Sequence, residues 1–294
     1  MQPMMQVYKY ATYIFDPLHH FWESDKTQRS VAGLLILVFI TALATIELKR
    51  QGWMTGPLAD ITPTSHYMAI NLAFTLVLIL EVVSLIFTLP CSISKAVGKQ
   101  FEILALIFLR SAFKALADFP EPITVTGHLQ DLYVILADGG GAIVVFALLG
   151  VYTLLRRQLE ESLTGGPSLF KFVAAKKLIA LCMLAIFIGM GIQNGLLFID
   201  GQKPFNFFQS FYTVLIFSDI MLVLIAQRFL PKFHAVFRNS GFALATLLIR
   251  LALTAPPYYN VCIGIASCIF ACLLTLVYNT FYSKNSKYNR KKAA

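Results

Sequence analysis

Eight times between residues 30 and 282 the chain runs through mostly apolar sequence about 20 residues long, the length an α-helix needs to cross the hydrocarbon core of a bilayer. The runs lie at 30–47, 67–89, 101–118, 132–155, 177–199, 206–227, 240–255 and 258–282, and the seventh, the shortest, carries Arg250. Lipid offers backbone N–H and C=O groups no partner, so each run must close its own hydrogen bonds as a helix. Composition agrees: 57% of residues are hydrophobic and 13% charged, against about 25% charged in an ordinary soluble domain. The first run begins near Val31 behind a polar, aromatic-rich stretch and is followed by further apolar runs, unlike a cleaved secretory signal. The expected fold is an all-α integral membrane protein of eight transmembrane helices.

The net charge of +9 invites a nucleic-acid reading, but the basic residues are spread through short connections and a tail containing Lys284, Lys287, Arg290, Lys291 and Lys292. The positive-inside rule produces this pattern, and no nucleic-acid partner is expected. Lys9, Lys26 and Arg29, then Lys95 and Lys99, then Arg156 to Lys177, then Arg228, Lys232 and Arg238 fall on one side together with the tail. The opposite connections hold Lys49 and Arg50, the acids Asp118, Glu121 and Asp131, and Lys203. Both termini are therefore expected in the cytoplasm. Val7 to Trp22 mixes aromatics with Lys9 and two histidines, a composition suited to the headgroup layer, and reads as an interfacial helix or a partner-binding arm.

The chain also resembles itself. Leu89-Pro90, Ala96-Val97, Leu104-Ala105 and Arg110 recur as Leu230-Pro231, Ala235-Val236, Leu244-Ala245 and Arg250, with the two arginines 140 residues apart. Upstream, the segment ending at Glu81 parallels the one ending at Asp219; downstream, the surroundings of Tyr152 parallel those of Tyr278. Four spans per repeat is an even number, so both repeats enter the membrane in the same orientation, related by an axis along its normal. The expected organisation is an arm over 1–29, a first four-helix repeat over 30–157, a cytoplasmic linker over 158–176 marked by Gly165-Gly166-Pro167, a second repeat over 177–283, and a basic tail over 284–294.

A charge inside the bilayer is costly unless it is paired or hydrated, so intramembrane charges are the candidate site. Glu81 lies nine residues before Pro90 and Arg110 nine after Phe101, which places both about 13 Å from the cytoplasmic end of consecutive antiparallel helices. Equal depth makes Glu81–Arg110 an expected ion pair, and the same argument pairs Asp219 with Arg250. Such pairs either set helix register or line a path for protons or an anion. Lys114, one turn above Arg110, and Asp138 in the fourth span extend the polar lining of the first repeat alone, since Thr254 and Gly264 stand near the equivalent places. Gly139, Gly140 and Gly141, and the G-x-x-x-G of Gly191 and Gly195, suit close helix packing; the triplet could also unwind its helix beside a binding site.

All five cysteines lie in or beside apolar runs and their number is odd, so a disulfide framework is not expected. Cys268 and Cys272, at i and i+4, suit small apolar packing better than a soft metal. No H-E-x-x-H, G-x-S-x-G, Walker loop or Rossmann glycine pattern occurs, and His66, His128 and His234 are scattered over separate loops. Neither an enzyme nor a cofactor or metal site is expected. A voltage sensor is excluded because 139–155 holds no arginine.

Leu58-Ala59-Asp60, Glu81, the short basic loop from Lys95 to Lys99 and Arg110 together resemble the phosphate-starvation-inducible E family of bacterial four-helix membrane proteins. The resemblance covers residues 30–157, and reaches 177–282 through Asp219, Leu230-Pro231 and Arg250. It implies a four-helix bundle in a bacterial inner membrane and no particular substrate. The chain differs in carrying two such units, an arrangement that would make it a fused dimer with a pseudo-two-fold axis. Two functions remain open: a channel or transporter for a small ion, and a structural or assembly subunit whose arm and basic tail contact other membrane proteins.

Overall fold

The computed structural model describes residues 2–53, 62–119, 127–156, 167–229, 231 and 233–280. Leu58 to Asp60, Glu121, Arg157, the linker up to Gly166, Leu230, Lys232 and the basic tail lie outside them. Within the described residues there is no strand; nine α-helices and one short 3-10 turn carry the chain. They are α1 (Gln2–Glu23), α2 (Asp25–Arg50), α3 (Tyr67–Thr88), α4 (Ile93–Lys114), α5 (Leu129–Arg156), α6 (Pro167–Ile199), α7 (Phe207–Phe229), α8 (Phe233–Thr254) and α9 (Tyr259–Tyr278), with the 3-10 turn at Ala115–Asp118.

Local chemistry sets the breaks. Ser24 ends the arm helix and caps α2, its hydroxyl oxygen accepting from the Thr27 amide, while Ser92 caps α4 through the Lys95 amide in the same way. Pro256-Pro257 cannot continue α8, and Tyr258 takes a positive φ of 70° to open α9.

Among the described residues, seven helices are long and apolar enough to cross a membrane: α2, α3 and α5 to α9. The expected third span is a helix too, but it begins at Ile93 and ends at Lys114, before the expected 101–118 is complete. With Lys95, Lys99, Glu102, Arg110 and Lys114 spread along it, α4 lacks the long, nearly uncharged apolar stretch that the other seven have. The expected linker is also shorter, because α6 starts at Pro167 rather than 177. Proline is well tolerated at a first helical position, and nothing from Ser168 to Lys177 breaks a helix.

Two apolar cores hold the helices together. In one, Phe101, Leu104 and Phe108 of α4 meet Tyr152 of α5, Phe242 of α8 and Cys268 of α9. In the other, Phe15 of α1, Ile86 and Phe87 of α3, Met183 of α6 and Phe211 of α7 pack together. Across the two halves of the chain, α4 packs on α8, α5 on α9 and α3 on α6, which creates a seam. The arm helix α1 lies along α6, with the Trp22 indole N–H donating to Ser84 at 2.9 Å and Lys177 reaching Asp16 at 2.5 Å. By contrast α2 buries only Ile46.

The glycines divide. A Cβ built on Gly141 would lie 2.5 Å from Val261, so α5 and α9 approach there as closely as glycine allows. Gly139, Gly140 and Gly195 meet nothing within 4 Å, and Gly191 only the Phe207 ring at 3.9 Å. The expected close packing is therefore present at one of these five positions, and α5 runs through the triplet without unwinding. Comparable approaches occur at Gly241 against Leu274, at 2.5 Å, and at Gly264 against Phe108, at 2.7 Å.

Candidate functional site

The four principal candidates come together in two pairs. Arg250 of α8, only 1% exposed, forks onto Asp219 of α7, Nε to Oδ2 at 2.7 Å and Nη2 to Oδ1 at 3.4 Å. Both carboxylate oxygens are thereby engaged, the two-pronged geometry that guanidinium favours. Glu81 of α3 and Arg110 of α4 form the corresponding pair through Oε2 and Nη1. This second pair is less complete: Arg110 is partly exposed, and Glu81 Oε1 is buried with no hydrogen-bond partner.

The secondary candidates, Lys114 and Asp138, line one cavity of about 460 Å³, within the range typical of small-molecule sites. Asn71 of α3, Ser111 of α4 and Asn260 of α9 add polar groups, and Phe108 and Leu253 contribute apolar wall. Asp138 is 3% exposed, and Asn260 Nδ2 donates to its Oδ1 at 2.9 Å. Asn260 is itself oriented by accepting from the Val261 amide at 2.8 Å, at the opening of α9 that the Tyr258 conformation sets. Asp138 makes no ion pair among the described residues, and Lys114 is exposed. The cavity thus has a cation on its wall and a buried carboxylate whose partner is a neutral amide.

A smaller chamber of about 40 Å³ lies in the seam between α4, α6, α7 and α8, lined by Gln100, Lys176, Asp219 and Thr246 among apolar neighbours. Lys176 is 3% exposed; its ammonium donates to the Cys91 carbonyl at 2.9 Å and stands 4.4 Å from the Phe172 ring centroid. Burial pushes the Cys91 thiol up, so that side chain stays neutral and supplies no counter-charge. No carboxylate lies in ion-pair contact with Lys176 among the described residues. Beside it, Gln100 Oε1 is buried without a hydrogen-bond partner.

Lys176 is the buried cation that sequence reasoning did not single out. Counted with Lys171 and Lys177 as part of a cytoplasmic connection, it sits inside α6. The available signal was helical spacing: Phe172, Lys176, Ile179, Ala180 and Met183 recur at three and four residues and form the buried stripe of α6. Lys177 projects elsewhere, to Asp16. Asn71, Ser111 and Asn260 had no comparable signal, because a lone amide or hydroxyl in an apolar run is common.

The five cysteines are free, and among the described residues no group of three or more His, Cys, Asp or Glu stands together. No family model, no curated protein and no solved structure matches the chain.

Proposed function

We propose that this is a bacterial inner-membrane protein of eight spans, built as two tandem four-helix units with both termini cytoplasmic, that passes a small ion along the seam between the units. One observation carries this reading. Asp219 with Arg250 and Glu81 with Arg110 form ion pairs that hold consecutive helices together, whereas Asp138 and Lys176, buried and held by neutral groups with no ion pair among the described residues, each face a cavity. An uncompensated buried charge costs several kcal/mol, and a fold keeps one most readily where a mobile ion or water can answer it.

The tandem organisation is supported by which helices meet. A two-fold axis along the membrane normal pairs the third helix of one unit with the third of the other and fourth with fourth, and those contacts are α4 with α8 and α5 with α9. As the remaining span, α4 carries Lys95, Lys99 and Glu102 near one end and Lys114 at the other, where long side chains reach the headgroups, and its Arg110, one turn before Lys114, is paired. The likeness to the phosphate-starvation-inducible E family belongs to this proposal, resting on Glu81, Arg110 and the loop between them.

The protein reconstituted in liposomes should dissipate an imposed ion gradient, and Asp138→Asn and Lys176→Gln should each slow the flux by about tenfold, the effect of ~1.4 kcal/mol on a barrier. A folded wild type with no flux for protons, alkali cations or halides would remove this reading. The second reading, a non-catalytic assembly subunit, draws on α2, of which the chain buries only Ile46, and on the exposed Gly191 and Gly195 of α6. It expects stable co-purification of other membrane proteins in mild detergent and loss of them when α2 is altered.

A further inference from the structure

We infer that the chamber between α4, α6, α7 and α8 is a binding site for a monoatomic anion of the halide class, held by the Lys176 ammonium and the Gln100 amide. The inference rests on the ion-transport reading for its purpose, but its chemistry stands on charge, size and an unanswered polar atom.

Charge comes first. The chamber is bordered by Asp219, whose two oxygens are taken by Arg250, and by Lys176, which has no carboxylate. Two cations and one anion leave a net positive charge in an apolar surrounding. An ammonium has three donors, and Lys176 directs one to the Cys91 carbonyl. An alkali cation entering the chamber would meet that ammonium head-on. A water could accept a hydrogen bond from Lys176 but would leave its charge unbalanced, and a buried unbalanced charge is the costly condition.

Size narrows the class. About 10–15 Å³ admits one water, so about 40 Å³ takes a single water-sized or somewhat larger guest. A monoatomic anion enters without displacing side chains, while a tetrahedral oxyanion with its own hydrogen-bond shell does not.

Gln100 supplies the independent indication. It is 3% exposed and lines the chamber, and its Oε1 has no donor. The oxygen and nitrogen of a glutamine amide exchange places by a half-turn of the terminal torsion. That turn puts an N–H where the orphaned acceptor stands and lets the amide of this chamber-lining residue donate to an anion. Thr246 does not compete, since its hydroxyl donates to the Ala243 carbonyl at 2.8 Å. Arg250 keeps the Asp219 carboxylate occupied, which screens the guest from the nearest negative charge.

The test is anomalous diffraction from the full chain crystallised with bromide as the sole halide, beside thermal unfolding in detergent titrated with bromide against gluconate at constant ionic strength. The expected result is a bromide peak between Lys176 and Gln100, and a saturable rise in melting temperature that is lost in Lys176→Gln and weakened in Gln100→Leu. A wild-type chamber that holds only water in bromide-grown crystals overturns the inference, as does a peak that persists in Lys176→Gln. Should Lys176→Gln not fold, the wild-type diffraction decides the matter alone, with Lys176→Arg as the charge-retaining control expected to keep the peak. Bromide bound in a protein that carries no flux would remove the transport reading and leave the site; flux with an empty chamber would do the reverse.

Discussion

Arg250 is the largest of the fully buried side chains, and only Asp219 makes that tolerable. Truncating one member of such a pair strands the other in an apolar interior. Arg250→Ala should therefore cost about 3–5 kcal/mol of stability, and replacing both members, as in Asp219→Leu with Arg250→Met, should recover most of the loss. Thermal unfolding of the two single variants and the double variant in one detergent checks this; a double variant whose loss equals the sum of the two single losses would show that the pair carries no coupling. Arg110→Ala should cost less, because that guanidinium is already partly in contact with solvent or headgroups and its partner is imperfectly satisfied. All four of these charges could be picked out from the sequence, since a charge in an apolar run stands out and equal depth on neighbouring antiparallel helices suggests a partner. Lys176 could not, because it stands in a basic run beside Lys177, and only the rotation of α6 about its axis turns one inward and the other to Asp16.

At the scale of elements, glycines in helices look alike in sequence and differ by what crosses them. Gly264→Ala would bring a Cβ within 2.7 Å of the buried Phe108 ring and 3.3 Å of Leu104, and should destabilise by about 1–3 kcal/mol through forced repacking of α4 against α9. Gly139→Ala and Gly140→Ala meet open space, and should be neutral or gain up to ~1 kcal/mol from helix propensity. Comparing melting temperatures of the three variants tests the contrast, and destabilisation at Gly139 equal to that at Gly264 would mean that the outer face of α5 is covered. Helix existence was legible from the length and polarity of the apolar runs, while the capping by Ser24 and Ser92 emerged only from the structure. Helix limits were less so: α4 begins well before its apolar run and α6 begins at Pro167, because polar residues continue a helix as readily as apolar ones where no breaker intervenes.

For the molecule as a whole, the main joint lies between the two halves, where α4 meets α8 and α5 meets α9. Its contacts include the apolar layer of Phe101, Tyr152 and Phe242, and hydrogen bonds from Asn279 to the Leu155 carbonyl at 2.9 Å and from Asn260 to Asp138. A chain cut between Arg157 and Gly166 and expressed as two fragments should therefore reassemble, with the tagged first fragment retaining the second through detergent purification. Fragments that separate would mean that covalent connection, rather than the seam, keeps the halves together.

By itself the sequence determined that the chain is helical and apolar along most of its length, because the period and polarity of a segment report its own backbone hydrogen bonding and its solvent. It also singled out most of the charges that must be accounted for, Asp138 among them but not Lys176. Tertiary structure alone decided which of those charges are answered and which are not. Asp138 and Lys176 have the same neighbours in sequence whether they face a partner or a cavity, and the difference arises from the rotation and approach of helices distant along the chain. The cavities themselves belong to no single segment: each is the space left where four or more helices fail to close, and that is a property of their packing together.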